Sequence, residues 1–286
     1  MKLNVKDLTN ILMEKRILEV IFMVSLITWG RFWANEGLQP ELYGMAIGAA
    51  GILLIEIFDY LIKERAFLRL YWDCYKPWTP NEIRLTIAYL FRIEMNGKYL
   101  LVKSNRIENT YQPVGGVYKY YNPEAKKELD CMGAITDNMI DNDDLSESDL
   151  RLNLLNRRKI RAFLKWFFKG EKRESDPWRE FYEELIIPGI LPAIGFGYIH
   201  YELVGQHFEP IHRDKYFNVD TFKYVDIFIP KFVTHQQIKE IKNLLSVKST
   251  KYIWVTQQEI KQGKSIDNHL IAEHTYKMFH NEILHQ

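Results

Sequence analysis

Two apolar runs near the N-terminus constrain the fold of this chain more than any other feature of its sequence. Residues 17–33 and 42–62 are rich in aliphatic side chains, and a polar connection at 35–41 separates them. Charges leave uninterrupted apolar stretches only at 20–30 and 42–55, lengths that also suit buried helices of a water-soluble protein. The pattern therefore allows either a membrane hairpin or a pair of core helices.

The flanks of the two runs favour the hairpin. Trp29, Phe32, Trp33 and Tyr43 cluster near the connection, as an interfacial aromatic belt would. Lysines and arginines lie beyond the outer ends of the runs, whereas residues 35–41 contain none. This asymmetry indicates that both chain ends are cytoplasmic. We therefore predict a two-helix transmembrane hairpin within a domain at 1–70, and a multi-pass location in the inner membrane.

Small and acidic residues of the second run add two further expectations. Gly44, Gly48 and Gly51 form a smooth helix face that favours close packing, within the hairpin or between the protomers of a homo-oligomer. Glu56 and Asp59 lie about one helical turn apart. They either reach water near the cytoplasmic end or face a helix bundle or pore.

The overall composition excludes few classes of function. The net charge of +1 gives no general attraction to nucleic acid or to acidic partners. The two cysteines, Cys74 and Cys131, have neither metal-ligand nor disulfide spacing, which is typical of ordinary thiols in a reducing compartment.

A cluster of carboxylates marks the candidate site. On a helix, Glu180, Glu183 and Glu184 lie at i, i+3 and i+4 and share one face. Asp176 is a predicted cap, and Pro177 fits the first helical position. Like charges this close repel unless a cation lies among them, and carboxylate oxygens are ligands that Mg²⁺ prefers. A solvated helix face is the alternative.

The surrounding order resembles the NUDIX box, whose pattern is G-x5-E-x7-R-E-U-x-E-E-x-G-U, with U apolar. A predicted strand at 99–102 and the Pro-Val-Gly-Gly turn at 113–116 come first, and residues 179–184 match R-E-U-x-E-E. Predicted strands at 224–229 and 251–255, a short helix at 257–260 and a closing helix at 266–284 follow. The resemblance implies an α+β fold, in which a NUDIX-like mixed-sheet α/β/α sandwich with a helical insertion occupies residues 80–286. It also implies catalytic roles for Arg179, Glu180, Glu183 and Glu184, with Mg²⁺ held by the three glutamates.

Three departures from the NUDIX pattern put the chemistry in question. Ile186 stands where the family has glycine, and a long insertion at about 117–175 separates Gly116 from Arg179. Glu171 has the x7 spacing before Arg179, but Lys165 stands where the box glycine belongs. A site with its ligands kept and its loop rebuilt is expected to bind nucleotides without the usual reaction.

The insertion has two halves. Residues 137–149 are strongly acidic and are predicted to form a solvated loop. From Leu150 the pattern turns helical and basic, with Arg157, Arg158, Arg161 and Trp166 among its members. This half is interpreted as a helix covering the domain, as a surface for anionic lipid, or as a source of phosphate-binding cations and a stacking ring.

A two-span hairpin joined to such a domain resembles the membrane-anchored NUDIX effectors of CBASS, the SMODS-associated NUDIX family. In these anti-phage systems a cyclic nucleotidyltransferase makes a cyclic oligonucleotide signal. The resemblance implies a cytoplasmic sensor whose occupation makes the hairpin disrupt the inner membrane and abort infection. The expected ligand-binding residues are Gly115, Gly116, Arg157, Arg158, Arg161 and Trp166.

Binding without turnover is the favoured function, because a cyclic oligonucleotide contains phosphodiesters and lacks the pyrophosphate that NUDIX enzymes cut. The alternative is a membrane-tethered, Mg²⁺-dependent NUDIX hydrolase of nucleoside diphosphate derivatives. A passive membrane anchor for another protein is the third hypothesis.

Overall fold

The computed structural model describes residues 24–25, 27–28, 31, 39–121, 123–137, 139 and 148–284. Most of the first apolar run, including Trp29, Phe32 and Trp33 of the predicted belt, lies outside these ranges. The chain divides into two compact units, Met1–Leu68 and Arg69–Gln286.

In the first unit, helix α1 (Gln39–Lys63) follows the second apolar run. Across the residues that the structure describes, no helix has both the length and the apolarity needed to cross a membrane. The prediction of a multi-pass inner-membrane protein with two cytoplasmic ends is therefore wrong. Glu56 and Asp59 interrupt the apolar side chains of α1, and the stretch that remains is shorter than the roughly 20 residues a span requires.

The second unit is a mixed α/β fold. Helix α2 (Arg65–Tyr75) crosses the unit boundary in sequence, and the remaining elements follow it. The strands are β1 (Ile83–Phe91), β2 (Glu94–Met95), β3 (Lys98–Lys103), β4 (Thr110–Gln112), β5 (Gly115–Val117), β6 (Ala134–Thr136), β7 (Arg151–Leu154), β8 (His200–Arg213), β9 (Asp220–Lys231), β10 (Tyr252–Thr256) and β11 (Leu270–Ile271). The helices are α3 (Glu124–Cys131), α4 (Ile160–Lys169), α5 (Trp178–Phe181), α6 (His235–Ser246) and α7 (Gln257–Gln262), with 3₁₀ turns at Arg157–Lys159 and Glu273–Phe279 and a π-helix at Tyr182–Ile186.

The larger sheet has the strand order β6-β7-β1-β9-β8, with β5 also paired to β1. Strand β1 runs parallel to β9 and antiparallel to β5 and β7, so the sheet is mixed. Seven of the nine residues of β1 are buried, and its sequence is mostly apolar, with Arg84 and Thr86 as the polar exceptions. This central strand pairs with the two glycines, Tyr89 opposite Gly116 and Leu90 opposite Gly115.

The smaller sheet has the order β10-β3-β4-β11, with β2 paired to β3. The turn between β2 and β3 contains Asn96 and Gly97, both at positive φ (53° and 72°), as a tight hairpin of this type requires. Leu101, Val255 and Met278 belong to the apolar cluster on this sheet. The predicted strands at 99–102, 224–229 and 251–255 and the helix at 257–260 are confirmed.

The insertion belongs to the fold. Strands β6 and β7 extend the larger sheet beyond β1. The prediction of a helix from Leu150 onward is therefore wrong for β7, and the α-helix begins only at Ile160. The predicted solvated loop at 137–149 is wrong at its ends, since Asp137 pairs with Arg84 at 2.6 Å in a buried ion pair and Asp149 pairs with Arg151. Asp141, Asp143, Asp144 and Glu147 lie outside the described residues.

The chain end also differs from prediction. Residues 266–284 form β11 and a 3₁₀ turn rather than a closing helix. The backbone of this segment pairs with neighbours instead: Ala272 N–H donates to the Tyr111 carbonyl, and Gln206 N–H donates to the Glu282 carbonyl. These long-range bonds replace the local bonds that a helix would make.

Candidate functional site

The carboxylate segment is one turn of α-helix followed by a π-helix. Asp176 Oδ1 accepts a hydrogen bond from the Trp178 N–H, but Pro177 is the N-cap residue and α5 begins at Trp178, one residue later than predicted. The Ile187 N–H bonds to the Tyr182 carbonyl five residues back, which is the π pattern. Phe181 and Leu185 are fully buried, so the segment is held in the core by its apolar side chains.

Arg179 binds several groups of the site at once through its guanidinium. Its Nη1 atom donates to Glu180 Oε1 at 2.6 Å and to Glu183 Oε2 at 3.1 Å. Its Nη2 atom donates to the Val117 carbonyl at 3.0 Å. The cation beside Glu180 and Glu183 is therefore supplied by the protein itself, whereas Glu184 binds the Gly115 amide. Burial opposes the charge of Arg179, but its hydrogen bonds to Glu174 and the charge of Glu180 outweigh burial and raise its pKa.

Glu174 completes the contacts of Arg179. Its Oε1 accepts from Arg179 Nε at 3.0 Å, and its Oε2 accepts from the Lys119 N–H at 3.1 Å. Glu171, which has the box spacing, instead pairs with Lys169 at 2.6 Å, with both side chains about half exposed. Sequence reasoning missed Glu174, because its position depends on the pairing of Tyr120 with Arg173 across the insertion.

Glu184 is bound to the glycine turn. Its Oε2 accepts a hydrogen bond of 2.9 Å from the Gly115 N–H. Burial raises the pKa of this carboxyl group to about 8, and the neighbouring charge of Glu180 acts in the same direction. The Gly115 bond opposes this rise. Glu184 therefore holds a proton through much of the neutral range.

Gly116 makes room for Glu180. A Cβ atom at residue 116 would overlap the Glu180 carboxylate, so the turn accepts only glycine while that side chain stays in place. Gly115 has φ of +150°, and its α-carbon faces the Tyr89 carbonyl and the Leu90 backbone of β1. Burial raises the pKa of Glu180, while Arg179 opposes the rise. The two glycines are thus required by close approach on both sides of the turn.

Buried polar side chains next to Glu174 form a second set of contacts. The Tyr89 hydroxyl donates to Glu174 Oε1 at 3.3 Å, and the Tyr118 hydroxyl donates to Asp226 Oδ2 at 2.7 Å. The Tyr89 and Tyr118 rings pack edge to face with centroids 4.7 Å apart. Burial raises the pKa of Asp226, partly offset by the bond from Tyr118. These contacts connect Glu174 to two strands of the larger sheet, and no sequence motif marks them.

The predicted magnesium site does not fit this arrangement. Glutamate oxygens are the donor type that Mg²⁺ prefers, and the NUDIX resemblance implies that metal. Within the described residues, however, no group of three or more His, Cys, Asp or Glu side chains is placed to hold a metal ion. Arg179 contacts the Glu180 and Glu183 carboxylates, and Glu184 binds the Gly115 amide. The glutamate oxygens are thus occupied by hydrogen bonds and ion pairs from within the protein.

The predicted ligand-binding residues fall into two places. Gly115 and Gly116 contact Glu184 and Glu180. The basic residues contact helix α2 instead. Arg157 donates to the Cys74 and Lys76 carbonyls, and the guanidinium groups of Arg158 and Arg161 lie over the rings of Tyr75 and Tyr71.

Helix α4 covers the domain, which was one of the three interpretations of the insertion. Ile160, Phe163, Leu164 and Phe167 are buried on its inner face. Trp166 is partly exposed and packs beside Phe163, with ring centroids 5.9 Å apart. Its ring therefore contacts its own helix, and the described contacts do not place it at the glycine turn.

Comparison with known proteins identifies the family. A model of the SMODS-associated NUDIX domain matches residues 82–279. A search of curated proteins finds no match. Among solved structures, the chain is similar to a bifunctional NMN adenylyltransferase/ADP ribose pyrophosphatase from Francisella tularensis complexed with AMP and a Mn ion, at 12% identity and a TM-score of 0.26. That match covers 86% of this chain and 53% of the other, so the chain spans about half the length of that protein. Because the family model covers more than half of the sequence, the chain belongs to the SMODS-associated NUDIX domain family.

Proposed function

We propose that this protein is the nucleotide-sensing effector of a CBASS-type anti-phage system. It binds a cyclic oligonucleotide made by a partner cyclic nucleotidyltransferase, and it releases the ligand unchanged. Family membership supports the link to cyclic nucleotide signalling. We assign sensing to the domain at 80–286 and the response to the segment at 1–70.

The observation that carries this proposal is the engagement of Arg179 by its own glutamates. The guanidinium contacts Glu174, Glu180 and Glu183, so Glu180 and Glu183 of the NUDIX box are already paired with a cation of the protein itself, while Glu184 accepts a hydrogen bond from the Gly115 amide. A hydrolytic site needs reacting groups held to within a fraction of an ångström, whereas a binding site tolerates larger shifts. The rebuilt box is therefore suited to recognition.

Arg179 also supplies a way to recognise phosphate. Of its three carboxylate partners, Glu183 has the most exposed side chain, at 44%, compared with 14% for Glu180 and 9% for Glu174. A phosphate of the ligand takes the place of Glu183 at Arg179 Nη1, because a guanidinium binds phosphate oxygens as readily as carboxylate. Release of Glu183, at the start of the π-helix, then signals that the site is occupied.

One observation favours a second candidate, a NUDIX-type hydrolase. Burial raises the pKa of Glu184 to about 8, which suits a group that exchanges protons near neutral pH. That function requires Glu180 and Glu183 to leave Arg179 and become available for Mg²⁺. The two candidates make opposite demands on Glu183, since it competes with the ligand in a sensor and assists the reaction in a hydrolase.

The proposal includes self-association through α1 and no membrane-disrupting step. Ile47, Ile52, Leu54, Ile55 and Phe58 of α1 are each more than half exposed in the single chain. An apolar surface of this kind is normally covered by a partner, and a second copy has the matching surface. A Cβ atom at Gly44, Gly48 or Gly51 meets no other atom within 4 Å, so this face is open to contact.

Isothermal calorimetry of the full chain with a panel of cyclic di- and trinucleotides tests the sensing function. Saturable binding of one compound, reduced at least about tenfold by Arg179→Gln, is expected. Circular dichroism of the variant checks that it folds. The absence of binding to every compound by the folded wild-type protein contradicts the proposal.

A further inference from the structure

We propose that α2 and the start of α4 form a second binding surface, separate from the glutamate site, for a phosphodiester-linked oligonucleotide. We call it the arginine–aromatic surface, and it lies within the second unit. It consists of Tyr71, Trp72, Tyr75, Lys76, Trp78, Arg158 and Arg161. It does not depend on the function proposed for Arg179.

Exposed rings are the first observation. The side chains of Trp72, Tyr75 and Trp78 are 70%, 64% and 76% exposed, although the apolar faces of such rings are normally buried. All three lie on the last turn of α2 or in the turn after it. Nucleobases stack on exposed rings whatever their sequence, because every base has a π face. The rings therefore form a platform.

Cations beside the rings are the second observation. Arg158 lies over Tyr75 at 5.8 Å, Arg161 over Tyr71 at 5.9 Å, and Lys76 over Trp78 at 5.9 Å. Among the described residues, neither Arg158 nor Arg161 has a carboxylate within ion-pair distance, whereas Lys76 is paired with Asp73. Residues 157–169 contain no acidic side chain. The two arginines can therefore bind an anion without first breaking an ion pair.

Hydrogen bonds to the backbone hold the arginine–aromatic surface in place. Arg157 is not part of it, but its Nε and Nη2 atoms donate to the Cys74 and Lys76 carbonyls at 2.8 and 3.1 Å, which fixes the end of α2 against the 3₁₀ turn. A small cavity of about 70 Å³ opens between the two arginine–tyrosine pairs, and the buried Cys74 contributes to its wall. The cavity provides depth for a phosphate group, while the bases remain outside on the rings.

The arrangement of cations beside aromatic rings favours an oligonucleotide over an anionic lipid surface. Two of the three exposed rings have a cation over them, Arg158 over Tyr75 and Lys76 over Trp78, and Arg161 lies over the half-buried Tyr71. This interleaving of cations and rings matches a strand in which each base is followed by one phosphate. An anionic lipid surface would also attract arginines and tryptophans. It would not require cations placed over individual ring faces. We therefore choose an oligonucleotide, and vesicle binding is an outcome that the experiment can return.

The test is fluorescence anisotropy of a dye-labelled short single strand with the full chain over a series of salt concentrations. Trp72→Ala should weaken binding about fivefold or more through lost stacking. The double variant Arg158→Ala/Arg161→Ala should weaken binding about tenfold or more and flatten the dependence on salt. Lys126→Ala/Lys127→Ala, which removes two exposed charges from α3, is the charge-matched control and should bind like the wild type.

Further arms separate the sources of the ligand. Displacement of the strand by a cyclic dinucleotide shows that the surface serves the cyclic compound, whereas failure to displace assigns it to linear strands; both support the proposal. Glu183→Gln should leave this binding unchanged, which distinguishes it from the glutamate site. Equal losses in the control double variant, or binding only to phosphatidylglycerol vesicles with no binding of any oligonucleotide, overturn the proposal.

Discussion

The Gly115 amide donates a 2.9 Å hydrogen bond to Glu184 Oε2, so the glycine turn is tied to the π-helix. Gly116, the next residue, lies against the Glu180 side chain, whose carboxylate binds Arg179. Two parts of the NUDIX box that the insertion separates in sequence are thus held together by one turn. A substitution in the glycine turn should therefore alter the glutamate segment, and a substitution in that segment should alter the turn.

Glu184 should make stability depend on pH. Its ordinary pKa of 4.5 applies in the unfolded chain, and burial raises the folded value to about 8. Below 4.5 both states hold the proton, so the carboxyl costs nothing. Between 4.5 and 8 only the unfolded state loses the proton, and stability therefore falls as pH rises. Glu184→Gln, which keeps an acceptor for the Gly115 amide, should flatten the fall.

Thermal unfolding of the wild type and of Glu184→Gln across this pH range measures that effect. One pKa unit corresponds to about 1.4 kcal/mol, so the two proteins should diverge by an amount that is easily resolved. Their difference should stop growing above about pH 8. Parallel curves for the two proteins would show that Glu184 is not the titrating group.

Gly116→Ala should destabilise the site. The new Cβ overlaps the Glu180 carboxylate, which must leave Arg179 to make room. We expect a loss of about 1–3 kcal/mol in the free energy of unfolding, measured with denaturant. Gly197→Ala is the matched control, because a Cβ at that position meets no atom within 4 Å. Equal effects of the two substitutions would argue against the close approach of Glu180.

Glu174→Gln and Glu171→Gln should behave differently. Glu174 is buried and binds Arg179, Tyr89 and the Lys119 amide, so losing its charge should cost about 1–3 kcal/mol. Glu171 forms an exposed pair with Lys169, and its neutralisation should cost less than about 1 kcal/mol. Denaturant unfolding of both variants compares them. A larger loss at Glu171 would mean that the spacing of the box, rather than the observed pairing, identifies the partner of Arg179.

Much of the fold could be predicted from local patterns. The strands at 99–102 and 251–255 carry apolar runs bounded by turns, and the helix at 257–260 has a capping box formed by Thr256 and Glu259. Residues 266–284 were predicted wrongly because their apolar residues fit a helix, while backbone bonds to Tyr111 and Gln206 decide the structure. Strands β6 and β7 were missed for the same reason, since both are short and are held by pairing with other strands, β7 with β1 and β6 with β7.

The candidate site was predictable where residues are close in sequence. Arg179, Glu180 and Glu183 were placed on one turn, and the structure brings them together. Glu174 depends on the bridge between Tyr120 and Arg173, which no spacing reveals. Arg158 and Arg161 were assigned to the ligand site because they precede the carboxylates in sequence, but their ring contacts are with α2.

Glu183→Gln should tighten binding of the cyclic ligand. Removing the charge of Glu183 weakens its hold on Arg179 Nη1, which is 3.1 Å away, so phosphate meets less competition. Because the pair is partly exposed, the gain should be modest, about twofold to fivefold in Kd. Calorimetry measures it, with Glu202→Gln, which removes an exposed partner of Lys231, as the control. Weaker binding by Glu183→Gln would show that this carboxylate contributes to the site instead of competing.

The most direct test of the central claim is recovery of the ligand after binding. The full chain is saturated with the cyclic oligonucleotide that calorimetry identifies, incubated with Mg²⁺, and the released compound is analysed by chromatography. The account predicts that the ligand is bound and recovered intact, because the glutamates of the box are engaged by Arg179 and Gly115. The contrary result is recovery of the bound compound as a cleaved product that forms only with Mg²⁺ and that Glu184→Gln no longer produces.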